Sequence, residues 1–505
     1  MPSQRRTGIV LGYANIIVKN LVNLIYTPML LAFVGQADYG VYQTSYSFVF
    51  TLTLLSFGFS QAYVRFFTQK KLHGTQSDIH RLNGVYLVLY ATVSAVALLL
   101  GFGFAANAGV FFSDSFTSAE VDLVRATMSV MAGSIAVSLF NSVFDAYVLA
   151  HEEFHFQQSR QLLTTLATPF CAYILLLFGM GVVGVAIAQL AVNIVLLTLN
   201  AAYCIGRLGM RFDVRHFDSS LFRSIAVFSV WIFANQICDL VNQNVPNVLL
   251  GALTSAMAVA VFAVSVQIRN VFISLSVTIS NVFTPEINRI VTESDDNAIL
   301  TRLMTRVGRC QMILFCWVYG GFVLLGKFFI EHWAGEGFAD AYWLVLIMVA
   351  PLMVSLTQNT GIEIQRAKNL HRSRSIAMLV TAVLSVAFTA IASPVLGYWA
   401  PAIAYFVGEL LCKDVFMNWY YQQRVGLDMR FFWKRCLPVI FAAVVATAIC
   451  TAGSFVFLIA GWFAFFVWGI VYTTLFAALV WFIALDSRAR AAISSRIRQR
   501  NERRA

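Results

Sequence analysis

The sequence has 505 residues, of which 59% are hydrophobic and 12% are charged, whereas about 25% of the residues in an ordinary soluble domain are charged. This composition excludes a chain whose main solvent is water. The formal net charge of +11 would favour a nucleic-acid partner in a soluble protein. In so apolar a chain, the positions of the charges instead indicate which loops lie on which side of the membrane, and no nucleic-acid partner is predicted.

Apolar stretches of about 20 residues recur along the chain, and each can cross a hydrocarbon core about 30 Å thick as a helix. The first stretch carries Lys19, continues to Val34 and lacks a small-residue cleavage site, so we predict a retained span rather than a signal peptide. The predicted fold class is all-α integral membrane, with about fourteen transmembrane helices. The predicted spans are 9–34, 41–63, 84–106, 121–149, 162–178, 182–203, 224–250, 257–283, 307–330, 342–364, 375–393, 396–420, 436–458 and 463–485.

Basic residues mark one side of the membrane. They concentrate in the even-numbered connections and in both tails, as at Lys70 and Arg211, whereas the opposite loops carry acidic residues such as Asp114 and Glu336. By the positive-inside rule, the even-numbered connections and both termini are predicted to be cytoplasmic. The basic tail at 486–505 is either a binding segment for anionic membrane lipids or a stop-transfer anchor, and the positive-inside argument favours the anchor.

The first and seventh predicted spans share one design, in which an amide-rich inner half precedes a proline near the outer end. These residues are Asn15, Asn20, Asn23 and Pro28 in the first span and Asn235, Gln236, Asn242, Gln243, Asn244 and Pro246 in the seventh. The repetition predicts two pseudo-symmetric six-helix lobes around a central cavity. The predicted parts are lobes at 1–205 and 224–420, a cytoplasmic basic linker at 206–223, two additional transmembrane helices at 421–485 and a basic cytoplasmic tail at 486–505.

The amides have two interpretations. An unpaired hydroxyl costs about 4–8 kcal/mol in hydrocarbon, so a polar cargo needs a cavity lined with hydrogen-bond donors and acceptors. Alternatively, Asn and Gln bond between membrane helices and hold them together. The cavity interpretation predicts substrate contacts from Asn20, Asn23, Asn235, Asn242 and Gln243.

Three charged residues, Lys19, Asp239 and Arg269, lie about ten or more residues from the nearest end of their predicted spans, and such intramembrane charges are functional candidates. Arg269 offers a planar fork of donors that suits a diphosphate, and Lys19 offers a compact positive charge. Asp239 either neutralises Lys19 or Arg269 in a buried ion pair or binds a coupling proton or sodium ion.

Other charges within the spans have neighbours at helical spacing. Glu409 and Lys413 are four residues apart, and Glu363 and Arg366 are three apart, so these residues are predicted to pair within their helices. Asp145, near a predicted cytoplasmic end, is also assigned a structural role.

Motifs of enzymes and metal sites are missing. The seven histidines fall in predicted loops, and the sequence contains no HExxH, nucleophile elbow or Walker A motif. The eight cysteines include no CxxC pair. We therefore predict a protein that is not an enzyme and has no metal or cofactor.

Several segments together resemble the polysaccharide (oligosaccharide) flippase branch of the multidrug/oligosaccharidyl-lipid/polysaccharide exporter superfamily. They are YTPMLLAFVGQADYGVYQTSYSF at 26–48, AHEEFHFQQSR at 150–160, FTPEINRI at 283–290, IQRAKNLHRSRS at 364–375 and SPVLGYWAPAIA at 393–404. The resemblance implies two lobes in a bacterial cytoplasmic membrane. It also implies that undecaprenyl-diphosphate-linked oligosaccharide is carried to the outer leaflet by alternating access, for cell-surface polysaccharide biosynthesis.

The resemblance further implies partners and site residues. Glycosyltransferases and a polysaccharide polymerase are the implied protein partners. The related flippase for lipid-linked cell-wall precursor uses basic residues on its first, second and eighth helices, and here Lys19, Arg65 and Arg269 lie on those helices.

Two other functions stay open. An ion-coupled multidrug exporter of the same superfamily would favour an acidic cavity, whereas the deep charges here are two basic and one acidic. A membrane polysaccharide polymerase or ligase would use charged residues on a sizeable outer loop, and the predicted outer loops are short.

Overall fold

The computed structural model describes residues 2–490. The exceptions within this range are 57, 215–223, 226–228, 230–232, 234–236, 238–239, 241–242, 282, 295, 369, 371 and 486–489. Every regular element among these residues is a helix. The α-helices are α1 Pro2–Phe50, α2 Phe59–His73, α3 Gln76–Ala106, α4 Ala108–Phe112, α5 Ser118–Ala150, α6 Phe154–Leu177, α7 Gly181–Ala202, α8 Ala256–Asn281, α9 Thr284–Glu293, α10 Asn297–Trp333, α11 Ala339–Thr357, α12 Asn359–Ala367, α13 Arg372–Leu396, α14 Trp399–Gly408, α15 Met417–Tyr420, α16 Met429–Val456 and α17 Trp462–Leu479.

Shorter helical turns complete the chain. Residues 243–253 form a further helical segment ahead of α8. Two turns are 3₁₀, at Thr51–Ser56 and Glu336–Phe338. Four turns are π-helical, at Tyr203–Arg207, Glu409–Phe416, Tyr421–Val425 and Val480–Ala484.

Within the described residues, 11 helices are long and apolar enough to cross a membrane. The all-α, multi-pass prediction is therefore confirmed, whereas the count of fourteen is not. The first candidate, Ala14–His73, covers most of the predicted span 9–34 and all of 41–63, and Gly35 breaks the helix between them with a φ of 80°. The predicted span 224–250 falls largely outside the described residues, and 396–420 is helical from Trp399 but carries three charged residues.

The second predicted span, 41–63, is not one continuous helix. Helix α1 ends at Phe50, a 3₁₀ turn covers Thr51–Ser56, and α2 begins at Phe59. The hydroxyl of Thr53 donates to the Phe50 carbonyl at 2.7 Å, which gives that carbonyl a partner where the α-helical pattern stops. Gly58 then adopts a left-handed φ of 70°, which costs a residue with a side chain about 1–2 kcal/mol. Hydropathy does not register such a break because the segment is apolar throughout.

The first compact unit comprises Met1–Ala263 with Ala382–Pro401. Helices α3, α5 and α7 pack on one another through small residues. A Cβ atom on Gly101 would lie 2.4 Å from the Cβ of Ala132, so this close approach of α3 to α5 requires glycine. Both α3 and α5 begin with capping boxes, formed by Thr75 with Asp78 and by Thr117 with Glu120.

The second compact unit comprises Val264–Thr381 with Ala402–Ala505. Helix α10 packs against α16 and α17, where Gly320 leaves room for the ring of Tyr472. The Tyr472 hydroxyl donates to the backbone oxygen of Cys316 at 3.1 Å, which satisfies a polar group in the core. The predicted division into lobes at 1–205 and 224–420, with the added helices at 421–485, stays a prediction.

Candidate functional site

Helix α1 carries four of the polar side chains that the sequence singles out, and the structure separates their roles. Asn15 is 5% exposed, and its Nδ2 atom donates to the backbone oxygen of Gln158 at 2.9 Å and to its Oε1 atom at 2.7 Å. This amide therefore holds α1 against α6, as the packing interpretation predicts. Lys19 and Asn23 are exposed and Asn20 is half-buried, so these three remain accessible candidates.

Arg65 lies in α2, beyond the broken segment, and its side chain is exposed. The last turn of α2 adds Lys70, Lys71 and His73, which makes this end of the helix strongly basic. The predicted candidates Asn235, Asp239 and Asn242 lie outside the described residues. Both interpretations of Asp239, as an ion-pair partner and as a coupling group, therefore stay predictions.

The end of the seventh predicted span contributes Gln243, which is exposed, and two buried asparagines. Asn247 is 6% exposed and its Nδ2 atom donates to the hydroxyl of Ser47 at 3.0 Å. Asn244 is 7% exposed, and its side chain has no hydrogen-bond partner among the described residues. Of these two amides one turn apart, Asn247 thus bonds to another helix, whereas Asn244 does not.

A cavity of about 280 Å³ in the first unit joins this segment to the break in the second span. Its lining residues are Phe50, Thr53, Leu54, Ser56, Leu240, Gln243 and Asn244. The structure thus places the predicted site residue Gln243 at a cavity. The contributions of Thr53 and Ser56 were missed from the sequence, although Gly58 within an apolar run is a signal of a local break. We refer to this space below as the break cavity.

Arg269 on α8 is 3% exposed and lies in the second unit. Its guanidinium carbon is 4.3 Å from the centroid of the Tyr405 ring, and its Nη2 atom donates to Oδ1 of Asn270 at 3.3 Å. The Nη1 atom is 3.9 Å from the sulfur of Met348, and the Nε–H has no hydrogen-bond partner among the described residues. No carboxylate in the described part of the chain forms an ion pair with Arg269, so its charge rests on a ring face and weak acceptors.

A buried acidic group, Glu409, lies one helical turn after Tyr405 and is 5% exposed. The Glu409 carboxylate accepts from Ser355 Oγ at 3.3 Å and pairs with Lys413 Nζ at 2.5 Å. The predicted pairing of Glu409 with Lys413 is confirmed.

The contact of Arg269 with Tyr405 was not predicted from the sequence. Tyr405, Glu409 and Lys413 recur every four residues, which places them on one helix face, and this spacing is the signal that could have linked them. The partner across the helices, Arg269, cannot be read from spacing because it lies on another element.

A model of the family described as "Polysaccharide biosynthesis protein" matches residues 5–291, more than half of the sequence. The chain belongs to this family. No curated protein sequence gives a significant match. The family assignment agrees with the resemblance read from the segments at 26–48, 150–160 and 283–290.

Solved structures show which fold this polysaccharide biosynthesis protein shares. The lipid II flippase MurJ in an inward closed conformation has a TM-score of 0.76 at 11% identity, over 94% of this chain and 97% of MurJ. An inward-facing multidrug resistance MATE family transporter of the MOP superfamily has a TM-score of 0.62 at 15% identity, over 81% of this chain and 94% of that one. The multidrug transporter DinF-BH, in complex with R6G, has a TM-score of 0.57 at 14% identity, over 84% and 96%. At these identities the likeness establishes the fold alone.

Two other carboxylates of this polysaccharide biosynthesis protein, Asp145 and Glu363, have structural partners. Asp145 accepts hydrogen bonds from Arg160, from Nδ2 of Asn200 at 2.8 Å and from Nδ2 of Asn141 at 3.2 Å. This network ties α5 to α6 and α7. The predicted local pairing of Glu363 with Arg366 is also confirmed, at 2.7 Å. Among the described residues no group of three or more His, Cys, Asp and Glu side chains could hold a metal ion.

Proposed function

We propose that this protein is a flippase that carries undecaprenyl-diphosphate-linked oligosaccharide from the cytoplasmic to the outer leaflet of a bacterial cytoplasmic membrane. The observation that carries the proposal is the match to the polysaccharide biosynthesis protein family, in a chain that has the fold of a lipid II flippase. Both termini are proposed to be cytoplasmic on the positive-inside argument.

The proposed cargo has two parts with different chemistry, and the chain offers groups for each. Sugar hydroxyls need donors and acceptors because an unpaired hydroxyl is costly in hydrocarbon. Asn20, Asn23 and Gln243 supply amides, together with Asn235 and Asn242 of the part that is not described. The diphosphate needs positive charge, for which Lys19, Arg65 and Arg269 are proposed.

Arg269 supports this assignment through its unsatisfied donors. Its Nε–H has no hydrogen-bond partner among the described residues, and the guanidinium otherwise contacts a ring face, an amide oxygen and a thioether. A phosphate oxygen would give these donors charge-assisted hydrogen bonds, which are about twice as strong as neutral ones. Because Arg269 is 3% exposed, the diphosphate would reach it in a state in which its surroundings have opened.

Alternating access is the proposed mechanism, in which the site opens first to the cytoplasm and then to the outside. Glycosyltransferases would supply the lipid-linked oligosaccharide on the cytoplasmic side, and a polysaccharide polymerase would consume it outside. The protein itself is proposed to make and break no glycosidic bond.

An ion-coupled multidrug exporter is the second candidate, and the shared fold with MATE transporters favours it. In that case Asp239 would bind the coupling ion and organic cations would be the cargo. Arg269, which is buried and has no carboxylate partner among the described residues, argues for the flippase instead, because a fixed positive charge repels a cationic cargo.

Deletion of the gene distinguishes the candidates. We expect complete lipid-linked repeat units to accumulate facing the cytoplasm, measured by their resistance to an enzyme or reagent that cannot cross the membrane. As a matched measurement, cells with and without the gene are compared for their retention of a fluorescent organic cation. We expect this retention to be the same in both.

Two results would contradict the proposal. Lipid-linked units that reach the outer leaflet and remain unpolymerised would make the protein a polymerase or ligase. Retention of the organic cation, with normal surface polysaccharide, would make it a multidrug exporter.

A further inference from the structure

The break cavity lies where the second span loses its α-helical backbone. Irregular backbone at membrane depth is tolerated where it is enclosed by protein or lines a water-filled space. Here three residues of the 3₁₀ turn, Thr53, Leu54 and Ser56, and the helical residues Gln243 and Asn244 line one space of about 280 Å³, within the first compact unit. This volume is well above the share of one water molecule, about 30 Å³, and close to the lower end of ligand sites, about 300 Å³.

Asn244 is the observation that points to a ligand. It is 93% buried, being 7% exposed, and its amide has no hydrogen-bond partner among the described residues although it lines the cavity. Burying an amide without a partner is costly, so such groups in folded proteins normally meet water or a ligand. Asn247, one turn further along, shows the contrast because its amide bonds to Ser47.

The rest of the lining is neutral and mixed. Thr53 Oγ1 donates to the Phe50 carbonyl, which leaves its lone pairs free to accept, and Ser56 and Gln243 add a hydroxyl and an amide. The Phe50 ring supplies an apolar wall, together with two leucines. Among the described residues, no lysine, arginine, aspartate or glutamate lines the cavity.

We propose that the break cavity is a subsite for one neutral sugar ring of the transported glycan. A sugar ring offers both donors and acceptors at its edge and an apolar face of C–H groups. That combination matches two amides, two hydroxyls and an aromatic wall, whereas the described lining residues offer no positive charge for the diphosphate. The inference rests on the proposed function and adds a residue, Asn244, that selects the saccharide rather than the lipid carrier.

The test measures binding by the purified full-length protein in lipid nanodiscs. One probe is the lipid-linked saccharide fraction extracted from the deletion strain, and the other is undecaprenyl diphosphate alone. The variants are Asn244→Ala, Asn244→Ser and Gln243→Ala. Asn193→Ala is the matched control, because Asn193 is an amide of the same unit whose Nδ2 atom already bonds to Ser134 Oγ at 2.9 Å.

We expect Asn244→Ala to raise the Kd for the saccharide-bearing lipid about threefold to tenfold, the effect of losing a neutral hydrogen bond. The Kd for undecaprenyl diphosphate should not change. Asn244→Ser, which keeps a polar group, should show a smaller loss, and Gln243→Ala should behave like Asn244→Ala. Asn193→Ala should lower thermal stability without changing either Kd.

Three results would overturn the inference. If Asn244→Ala leaves both Kd values unchanged, the cavity holds only water, and the proposed function stands. If it weakens both probes equally, with an unchanged thermal midpoint, Asn244 does not recognise the saccharide. If the wild-type protein binds neither probe, the proposed function fails and the subsite fails with it.

Discussion

At the scale of single residues, Arg269 illustrates how a cation is kept in an apolar interior. Its guanidinium stacks on Tyr405 at 4.3 Å, and a cation–π contact of this kind contributes about 2 kcal/mol when it is desolvated. Asn270 adds one hydrogen bond, while the Nε–H has no partner among the described residues. Among the described residues, Arg269 is therefore held in position by a ring face and an amide rather than by a carboxylate, and this leaves its charge available to an anion.

The first prediction concerns the chemistry of this position. Arg269→Ala should abolish flipping with the protein still inserted, whereas Arg269→Lys should reduce it only partly, because lysine keeps the charge and loses the planar fork. The measurement is surface polysaccharide at matched membrane protein levels. Arg302→Ala is the control, since Arg302 is exposed on α10 and its Nε donates only to the Ala298 carbonyl.

A buried ion pair with Asp239 predicts a different pattern for Arg269. Either single neutralisation would destabilise the protein, and the double change Arg269→Gln, Asp239→Asn would restore both folding and transport. Recovery of transport in the double variant would remove Arg269 from the substrate site.

At the scale of elements, two of the departures from α-helical geometry lie beside the candidate groups. The second span breaks over Thr51–Ser56, and the helix that begins at Trp399 becomes π-helical over Glu409–Phe416. Such departures in helices are frequent at functional sites. Here the first borders the break cavity, and the second begins at Glu409, one helical turn after the Tyr405 ring on which Arg269 stacks.

The second prediction tests the broken span through its left-handed residue. Gly58→Ala should lower the thermal unfolding midpoint, because a side chain at a φ of 70° costs about 1–2 kcal/mol. Gly103→Ala is the matched control, since Gly103 lies within α3 and a Cβ atom there would meet no atom within 4 Å. That variant should be neutral or stabilising. Equal midpoints for the two variants would contradict a break at Gly58.

The third prediction concerns the pair on the π-helix. Lys413→Met leaves the buried carboxylate of Glu409 without its cation, and removing one partner of a buried pair costs about 3–5 kcal/mol when both are fully buried. Because the Lys413 side chain is 29% exposed, we expect a loss below that range. The double change Glu409→Gln, Lys413→Met should regain most of the stability in thermal unfolding. A double variant less stable than Lys413→Met would show that the two residues act independently.

At the scale of the whole molecule, the chain is a multi-pass membrane protein of the polysaccharide biosynthesis protein family, and its fold matches MurJ over 94% of its length. The predicted lobes at 1–205 and 224–420 and the cytoplasmic position of both termini rest on the amide repeat and on the basic loops.

The fourth prediction tests this topology. A reporter fused at Ser113, which follows α4, or at Gly335, which follows α10, should be external. A reporter fused after Arg215 or at Ala505 should be cytoplasmic, because basic loops stay inside. If the Ser113 and Arg215 fusions report the same side, the assignment of the spans between them is wrong.

The sequence by itself determined the all-α membrane architecture, the family resemblance and the pairing of Glu409 with Lys413. These features depend on hydropathy along the chain and on helical spacing, and both are local properties. A charge pair four residues apart needs no information about other helices, and an apolar stretch of about 20 residues needs none to favour the membrane.

Tertiary structure alone decided which polar groups are satisfied. Asn15 and Asn244 look alike in sequence, but Asn15 faces Gln158 on α6, whereas Asn244 faces the break cavity. Arg269 meets the ring of Tyr405, which lies on another helix far along the chain. Whether a buried amide or cation is paired depends on the atoms that other helices bring to it, and hydropathy and spacing along one helix do not specify those atoms.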